Sequence, residues 1–500
     1  MNFLFATGYQ PLATGPNVPM NKFILGFIFA VLTARFFTET IGVLPKGIDL
    51  IDLAIIPLIT LLAIGAKAAH GVDMNLHRRI LQLSVGYALL CLFSAAVNFE
   101  RIHLGPFLLY VFGIMEGPIL YLAMNKLIHD KKKFGMQVAK FFNLMLVIQV
   151  LVVVFLNYPM LIATGNPDVM SGTFGNNSYQ FTALLIVIGG FLIGRQYVRP
   201  RSMFYAIGVQ FFIILTFLLL QYRTAVPAFF LSYAVLITML YGSRLMKLAV
   251  IAVPIAFFIF IGFRQIERSS LELKYGDLLV LAQDLSVIME YGKFQSYANT
   301  VVMFGEHPTA ILFGSGPGTY VSRANYTFTM ELKVQSKGVG PIITKIFGDQ
   351  NYSTDVYTAY IEPLLSMEAL FGSVQINNPN SSLLAVTAET GLLGLAIMVS
   401  IYGTVVVRSR RYLHYAMARR DPILTPLASA LMIGVVYLCL ISPLDNYLEI
   451  ARVTLPIWLL FWTVSTFIRQ ERMEQEIMAY SAMLHEQEAQ YQLASGEEQR

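Results

Sequence analysis

Three arginines stand at the ends of long apolar stretches rather than inside them: Arg223 in QYRTAVP, and Arg264 and Arg268 in FRQIER. A guanidinium stays charged at any physiological pH, and its planar fork meets two phosphate oxygens at once. Such groups gathered on one membrane face would suit a lipid-linked diphosphate. The competing role is to snorkel toward lipid headgroups. Arg35, Glu39 and Glu116 fall within apolar stretches, where a charge costs about 2.5–3.5 kcal/mol by insertion scales and needs a partner, a wet cavity or the interface. For Glu116 a buried pair or an interhelical hydrogen bond is expected, with catalysis as the alternative. The run GSGPG has neither GxGxxG spacing nor the GK[ST] of a phosphate loop, so Gly314, Gly316 and Gly318 should form a turn, with anion cradling as the alternative. No HExxH, paired-cysteine or clustered-histidine pattern is present, and no metal or other cofactor is expected. Cys91 and Cys439 lie in apolar stretches and read as small hydrophobes.

Composition sets the elements that must position these residues. Hydrophobic residues make up 56% of the chain and charged residues 13%, against roughly 25% charged in a soluble domain. An all-α polytopic membrane protein is expected. The net charge of +5 is spread over short loops, which argues against a nucleic-acid partner. Apolar windows of about 17–25 residues, enough to cross a bilayer as helix, occur near 22–43, 50–69, 80–99, 104–125, 137–157, 179–197, 203–220, 225–241, 247–264, 382–407, 424–441 and 449–468. That reading gives twelve spans. Residues 1–21 lack the basic and short apolar regions of a signal peptide, so the first span should act as its own insertion signal.

Lysine and arginine sort the loops, because they bias a loop toward the cytoplasm. Every even loop is basic, from Lys67, Arg78 and Arg79 in the second to Arg408, Arg410, Arg411, Arg419 and Arg420 in the tenth. Both termini, 1–21 and 469–500, are therefore expected in the cytoplasm, with the long ninth loop, 265–381, on the outer face. Within that loop 277–308 has helical periodicity and should lie along the membrane surface, and NNPNSS (377–382) should cap the tenth span. The tail places Met473, Ile477, Tyr480, Leu484 and Tyr491 at heptad-like spacing, which predicts an amphipathic helix on the cytoplasmic face or in a coiled coil. No internal repeat is found, which weakens a two-halved transporter. Asn176, Asn325, Asn351 and Asn380 begin Asn-x-Ser/Thr sequons that matter only in a eukaryotic secretory pathway.

Three local patterns resemble the superfamily of O-antigen ligases and O-antigen or exopolysaccharide polymerases of bacterial envelopes. EHPTAILFGSGPGTY is similar to its His-Pro, G-x-G-x-G, aromatic stretch. NSSLLAVTAETGLLGL is similar to its approach to the tenth span, with Leu384, Glu389, Gly391, Gly394 and Leu395 in register. QYRTA is similar to its arginine-bearing turn before the eighth. The twelve-span layout with a large loop after the ninth matches as well, so the resemblance covers nearly the whole chain. It implies a multi-pass enzyme of the bacterial inner membrane that transfers sugar from a polyprenyl-diphosphate carrier, inverting the anomeric carbon without metal or nucleotide. Flippase and chain-length regulator proteins are implied partners, beside membrane lipids and the lipid-linked glycan.

Two departures from the family pattern stand out. Asn380 occupies the position where ligases carry histidine, and Lys293 replaces the arginine upstream of the His-Pro pair, with Tyr297 where tryptophan is common. With the resemblance, Arg223, Arg264, Lys293 and, less strongly, Arg268 become candidates for the diphosphate. An amide such as Asn380 does not usefully accept a proton, which leaves Glu389 and Asp445, in SPLDNYLE, as candidate bases. Holding helices together is the competing role for Glu389, and capping the last span that for Asp445. The leading expectation is a polymerase of lipid-linked repeat units. The alternatives are a ligase that moves finished polymer to lipid A core, and a flippase or exporter that performs no chemistry.

Overall fold

The computed structural model describes residues 20–45, 48, 51–64, 66, 72–175, 177–200, 203–220, 222, 225–242, 292–331, 345–348, 350–365 and 381–497. Arg223, Arg264, Arg268 and Asn380 lie outside these residues, as do Asn176, the predicted span 247–264 and the first half of 277–308. Regular structure among the described residues is helical, with no strand.

The main helices are α1 (Met20–Thr40), α2 (Ile51–Ile64), α3 (Met74–Val97), α4 (Leu104–Leu127), α5 (Lys131–Thr164), α6 (Ser178–Val198), α7 (Met203–Leu219) and α8 (Ala225–Tyr241). They continue as α9 (Gly292–Glu306), α10 (Thr309–Phe313), α11 (Asp355–Tyr360), α12 (Ser382–Arg419), α13 (Leu424–Ile441) and α14 (Ala451–Glu497). Eight of them, α1, α3 to α6 and α12 to α14, are long and apolar enough to cross a membrane. α3 turns Leu81, Val85, Leu89 and Leu92 outward, a stripe at helical spacing that water would not tolerate and lipid would. Hydroxyls at Thr33, Thr60, Ser232, Thr404 and Ser409 donate back to the carbonyl four residues earlier, so they satisfy themselves inside their own helices. This is a multi-pass membrane protein.

α14 is the axis of the bundle, with Trp458 and Trp462 fully buried against α4 and α5. Trp462 Nε1 donates to Asn125 at 2.8 Å, and Asn125 in turn reaches His77 on α3. Gly190 and Gly194, a G-x-x-x-G pair on α6, bring that helix against Ser429 and Pro426 of α13, where a Cβ at Gly190 would meet the Ser429 carbonyl oxygen at 3.0 Å. Asp73 and Asp130 cap α3 and α5 through Leu76 N and Lys133 N at 3.1 and 3.0 Å. Arg408 pairs with Asp73 at 3.3 Å and Arg419 with Glu471 at 3.2 Å. These pairs tie α12 to α3 and α14 at the end of the bundle away from α9 and α10.

The helices refine several sequence expectations. α2, α7 and α8 cover 14, 17 and 17 residues, short of the roughly 20 that span a bilayer unaided. α2 also contains Pro57, whose missing N–H interrupts the helical ladder. The tail does not begin a separate helix: α14 runs unbroken from Ala451 to Glu497, because no glycine or proline follows Pro456 until Gly496. Arg35 lies 3.7 Å from Glu39 one turn on. Glu116 is buried on α4 near Asp52 of α2.

Candidate functional site

Gly391 interrupts α12 with φ 71° and ψ −174°. An interrupted helix leaves carbonyls without partners, and here Ser315 N donates to Ala388 O at 2.8 Å and Gly316 N to Glu389 O at 3.1 Å. Gly314, at φ 74° and ψ −177°, faces the break with nearly the same backbone conformation. The two chains touch main chain to main chain. A Cβ on Gly314 would lie 2.2 Å from the Glu389 carbonyl carbon, and one on Gly391 would lie 2.2 Å from that of Leu312. α3 completes the joint: Ser94 Oγ donates to Phe313 O at 2.5 Å, and Asn98 Nδ2 donates to Gly314 O at 3.1 Å.

The Glu389 side chain projects from this break into a ring of backbone amides. Gly318 N donates to one oxygen at 2.5 Å, and Tyr320, Val321 and Ser322 N donate to the other at 3.0, 2.9 and 2.8 Å. The glycine run therefore forms a turn, and the anion cradled by it and the residues just after it is the protein's own carboxylate. Three donors share one oxygen and the fourth takes the other, and the side chain is fully buried. Enclosed by main-chain amides and away from any surface a glycan could reach, Glu389 holds the turn.

Asp445 sits in the turn between α13 and α14. Tyr222 donates its phenol to Asp445 Oδ2, and Asn446 N donates to Oδ1 at 2.8 Å. Asp445 stays partly exposed, whereas Asn446 and Tyr447 are buried. It does not cap α14, which begins at Ala451. The turn is gripped from two sides. The first turn of α12, capped by Ser381 Oγ accepting from Leu384 N at 3.2 Å, donates Ser382 N to Asp445 O at 3.1 Å and Leu383 N to Ser442 O at 3.1 Å. From α9, Lys293 Nζ donates to Leu444 O, and Tyr297 Oη donates to Pro443 O at 2.7 Å and lies 2.8 Å from Ser381 Oγ.

α9 has an inverted pattern for a water-exposed helix. Lys293, Ser296, Thr300 and Met303 are buried, and Val301 and Val302 are exposed. Burial pushes the Lys293 ammonium below the usual lysine range, and the Asp445 charge acts in the opposite direction. Tyr179, Tyr222, Tyr437 and Tyr447 gather behind Asp445 with neighbouring ring centroids 6.2–6.4 Å apart, and Tyr447 Oη donates to Tyr179 O at 2.5 Å.

Glu449, four residues past Asp445, is buried and accepts from Arg323 N at 2.8 Å, while its other oxygen has no hydrogen-bond partner among the described residues. Burial first, and the nearby Glu389 charge second, push its carboxyl up to about 8. A protonated hydroxyl on the unpartnered oxygen fits that arrangement. Asn325 is buried and donates to Tyr320 O at 2.6 Å, so its sequon offers no accessible amide. Cys91 and Cys439 are free thiols.

Of the sequence candidates, Lys293 and Asp445 come together. Glu389 with Gly314, Gly316 and Gly318 forms a separate joint. Sequence reasoning missed Tyr222, Glu449, Ser94 and Asn98. Tyr222 stands beside Arg223 and Glu449 close after Asp445, and polar side chains flanking a chosen residue were the available signal. Ser94 and Asn98 gave none. No protein-family model matches this chain, and no curated protein matches it in sequence.

Proposed function

We propose that this protein is an inner-membrane glycosyltransferase that joins polyprenyl-diphosphate-linked oligosaccharide repeat units on the periplasmic face, with both termini in the cytoplasm and twelve spans in all. The observation that supports this reading is the Asp445 turn. A partly exposed carboxylate is held by the Tyr222 phenol and braced by Lys293 beneath it, with Arg223 next in sequence to Tyr222.

In the proposed step a hydroxyl of the acceptor glycan gives its proton to Asp445 while its oxygen bonds to the anomeric carbon of the donor sugar. The bond from that carbon to the diphosphate breaks with inversion, and the electron pair leaves on the polyprenyl diphosphate. Arg223 and Arg264 meet the developing charge, with Arg268 a weaker contributor. Lys293 is buried and donates to a backbone carbonyl, so its part is to hold the base-bearing turn. Asn380, an amide, positions the acceptor rather than taking its proton. Neither metal nor nucleotide enters this scheme.

The test is a deletion strain complemented with Asp445→Asn or Arg223→Ala, with polymer and carrier-linked glycan resolved by gel. The proposal expects single repeat units to accumulate on the lipid carrier in both variants. Full-length polymer on the carrier that never reaches lipid A core would make the protein a ligase instead.

A further inference from the structure

A cavity of about 620 Å³ opens between the α3–α4 turn and the approach to α11, within the roughly 300–1,000 Å³ span of small-molecule sites. Its wall is braced to the same loop that holds Glu389: Thr354 Oγ1 donates to Thr319 O at 2.6 Å, and Asn98 bonds Gly314. Arg101 Nε and Nη2 reach the two oxygens of Asp355 at 2.7 Å each, so this cation and this anion cancel. Burial holds the His103 ring below the usual histidine range and so uncharged at neutral pH.

What remains facing the space is one carboxylate, Glu100, with the hydroxyls of Thr309 and Ser353, none of them hydrogen-bonded to a described side chain or backbone group. Beside them stands the phenyl ring of Phe99, 71% exposed. A net negative lining repels phosphate and nucleotide. A lone carboxylate with neutral neighbours is too poor for a divalent cation, which wants several hard oxygen ligands. A hydroxyl-rich ligand with an apolar face fits both halves of the lining. Its hydroxyls donate to Glu100 and exchange hydrogen bonds with Thr309, Ser353 and His103, and its ring face lies on Phe99.

We propose that this cavity is a saccharide-binding groove that holds sugar residues of the glycan away from the Asp445 turn, an assignment that rests on the transferase reading for the identity of its ligand. A glycan held at two places along its length is kept at high effective concentration between additions. Weakening the groove should therefore shorten the product without abolishing bond formation.

The test reads binding directly. A Val97→Cys, Cys439→Ser protein in nanodiscs is labelled with a water-soluble maleimide, Cys91 being buried. The probe is a mixture of oligosaccharides cut by mild acid from the host's own envelope polysaccharide. Labelling at position 97 is expected to slow at least threefold with the probe, and the slowing to vanish when Phe99→Ala and Glu100→Gln are added. An unchanged rate, or slowing that survives those two substitutions, overturns the groove. If the wild-type protein joins no lipid-linked units, the transferase reading fails by itself, and the labelling result still decides whether sugar binds here.

Discussion

Lys293 donates to the carbonyl of Leu444, which places a buried ammonium directly behind Asp445, the one carboxylate of this turn that remains partly open. One residue comes from α9 and the other from the turn between α13 and α14. Their meeting ties α9 to the end of the helical bundle.

The Tyr222 and Lys293 contacts to this turn should separate in their effects. Tyr222→Phe removes a hydrogen bond that orients the Asp445 carboxylate, which is open enough for water to replace the phenol, so turnover should fall at least about 10-fold with only a small drop in melting temperature. Lys293→Met leaves the Leu444 carbonyl without its donor and should lower both turnover and melting temperature. Equal thermal losses in the two variants would contradict this division of roles.

Glu389→Ala should be among the most destabilising single substitutions in the chain. It strands four buried amides, each costing about 1–3 kcal/mol when left unsatisfied. Glu389→Gln should be damaging as well, since an amide carries one accepting oxygen in place of two. Thermal unfolding of the detergent-solubilised protein checks this, and a Glu389→Gln variant that keeps wild-type stability but loses activity would point to chemistry instead.

Gly391→Ala should fail to assemble the Gly314 joint. The position needs φ 71°, and the added methyl would lie 2.2 Å from main chain rather than from a flexible side chain. Size-exclusion profiles should show loss of monodisperse protein, while Gly403→Ala, with nothing within 4 Å of its Cβ, should be tolerated.

Glu449 gives a pH dependence with a definite sign. Its carboxyl is pushed up to about 8 in the folded protein by burial first and the Glu389 charge second, against about 4.3 in an unfolded chain. The folded state then holds a proton that the unfolded chain has released. Its contribution is fully present below about pH 4.3 and is lost as the pH rises toward about 8. Wild-type melting temperature should decline from pH 5 to pH 8.5, and the decline should be shallower in Glu449→Gln, whose amide oxygen still accepts from Arg323 N. Parallel profiles would contradict the assignment.

The sequence made the membrane character and most helix positions legible because apolar windows and glycine or proline punctuation are local signals. Leu424–Ile441 and the start at Leu104 fall where the windows predict them. The Ser381 cap was readable for the same reason. Less was readable in the site. Glu389 could be recognised as a buried acid, yet its four donors come from Gly318 to Ser322, and only the broken helix brings that turn to it. Ser94 and Asn98 sit on a helix whose own pattern says nothing of the loop they hold. Contacts between distant segments are set by packing, which leaves little trace in residue spacing.

The most direct measurement of the central claim uses purified protein in proteoliposomes supplied with polyprenyl-diphosphate-linked repeat units alone, read by gel for a ladder of joined units. Wild-type protein should build the ladder with release of polyprenyl diphosphate, and Asp445→Asn, folded to the same melting temperature, should leave single units. Unjoined units with the wild-type protein, or an undiminished ladder with Asp445→Asn, would contradict it.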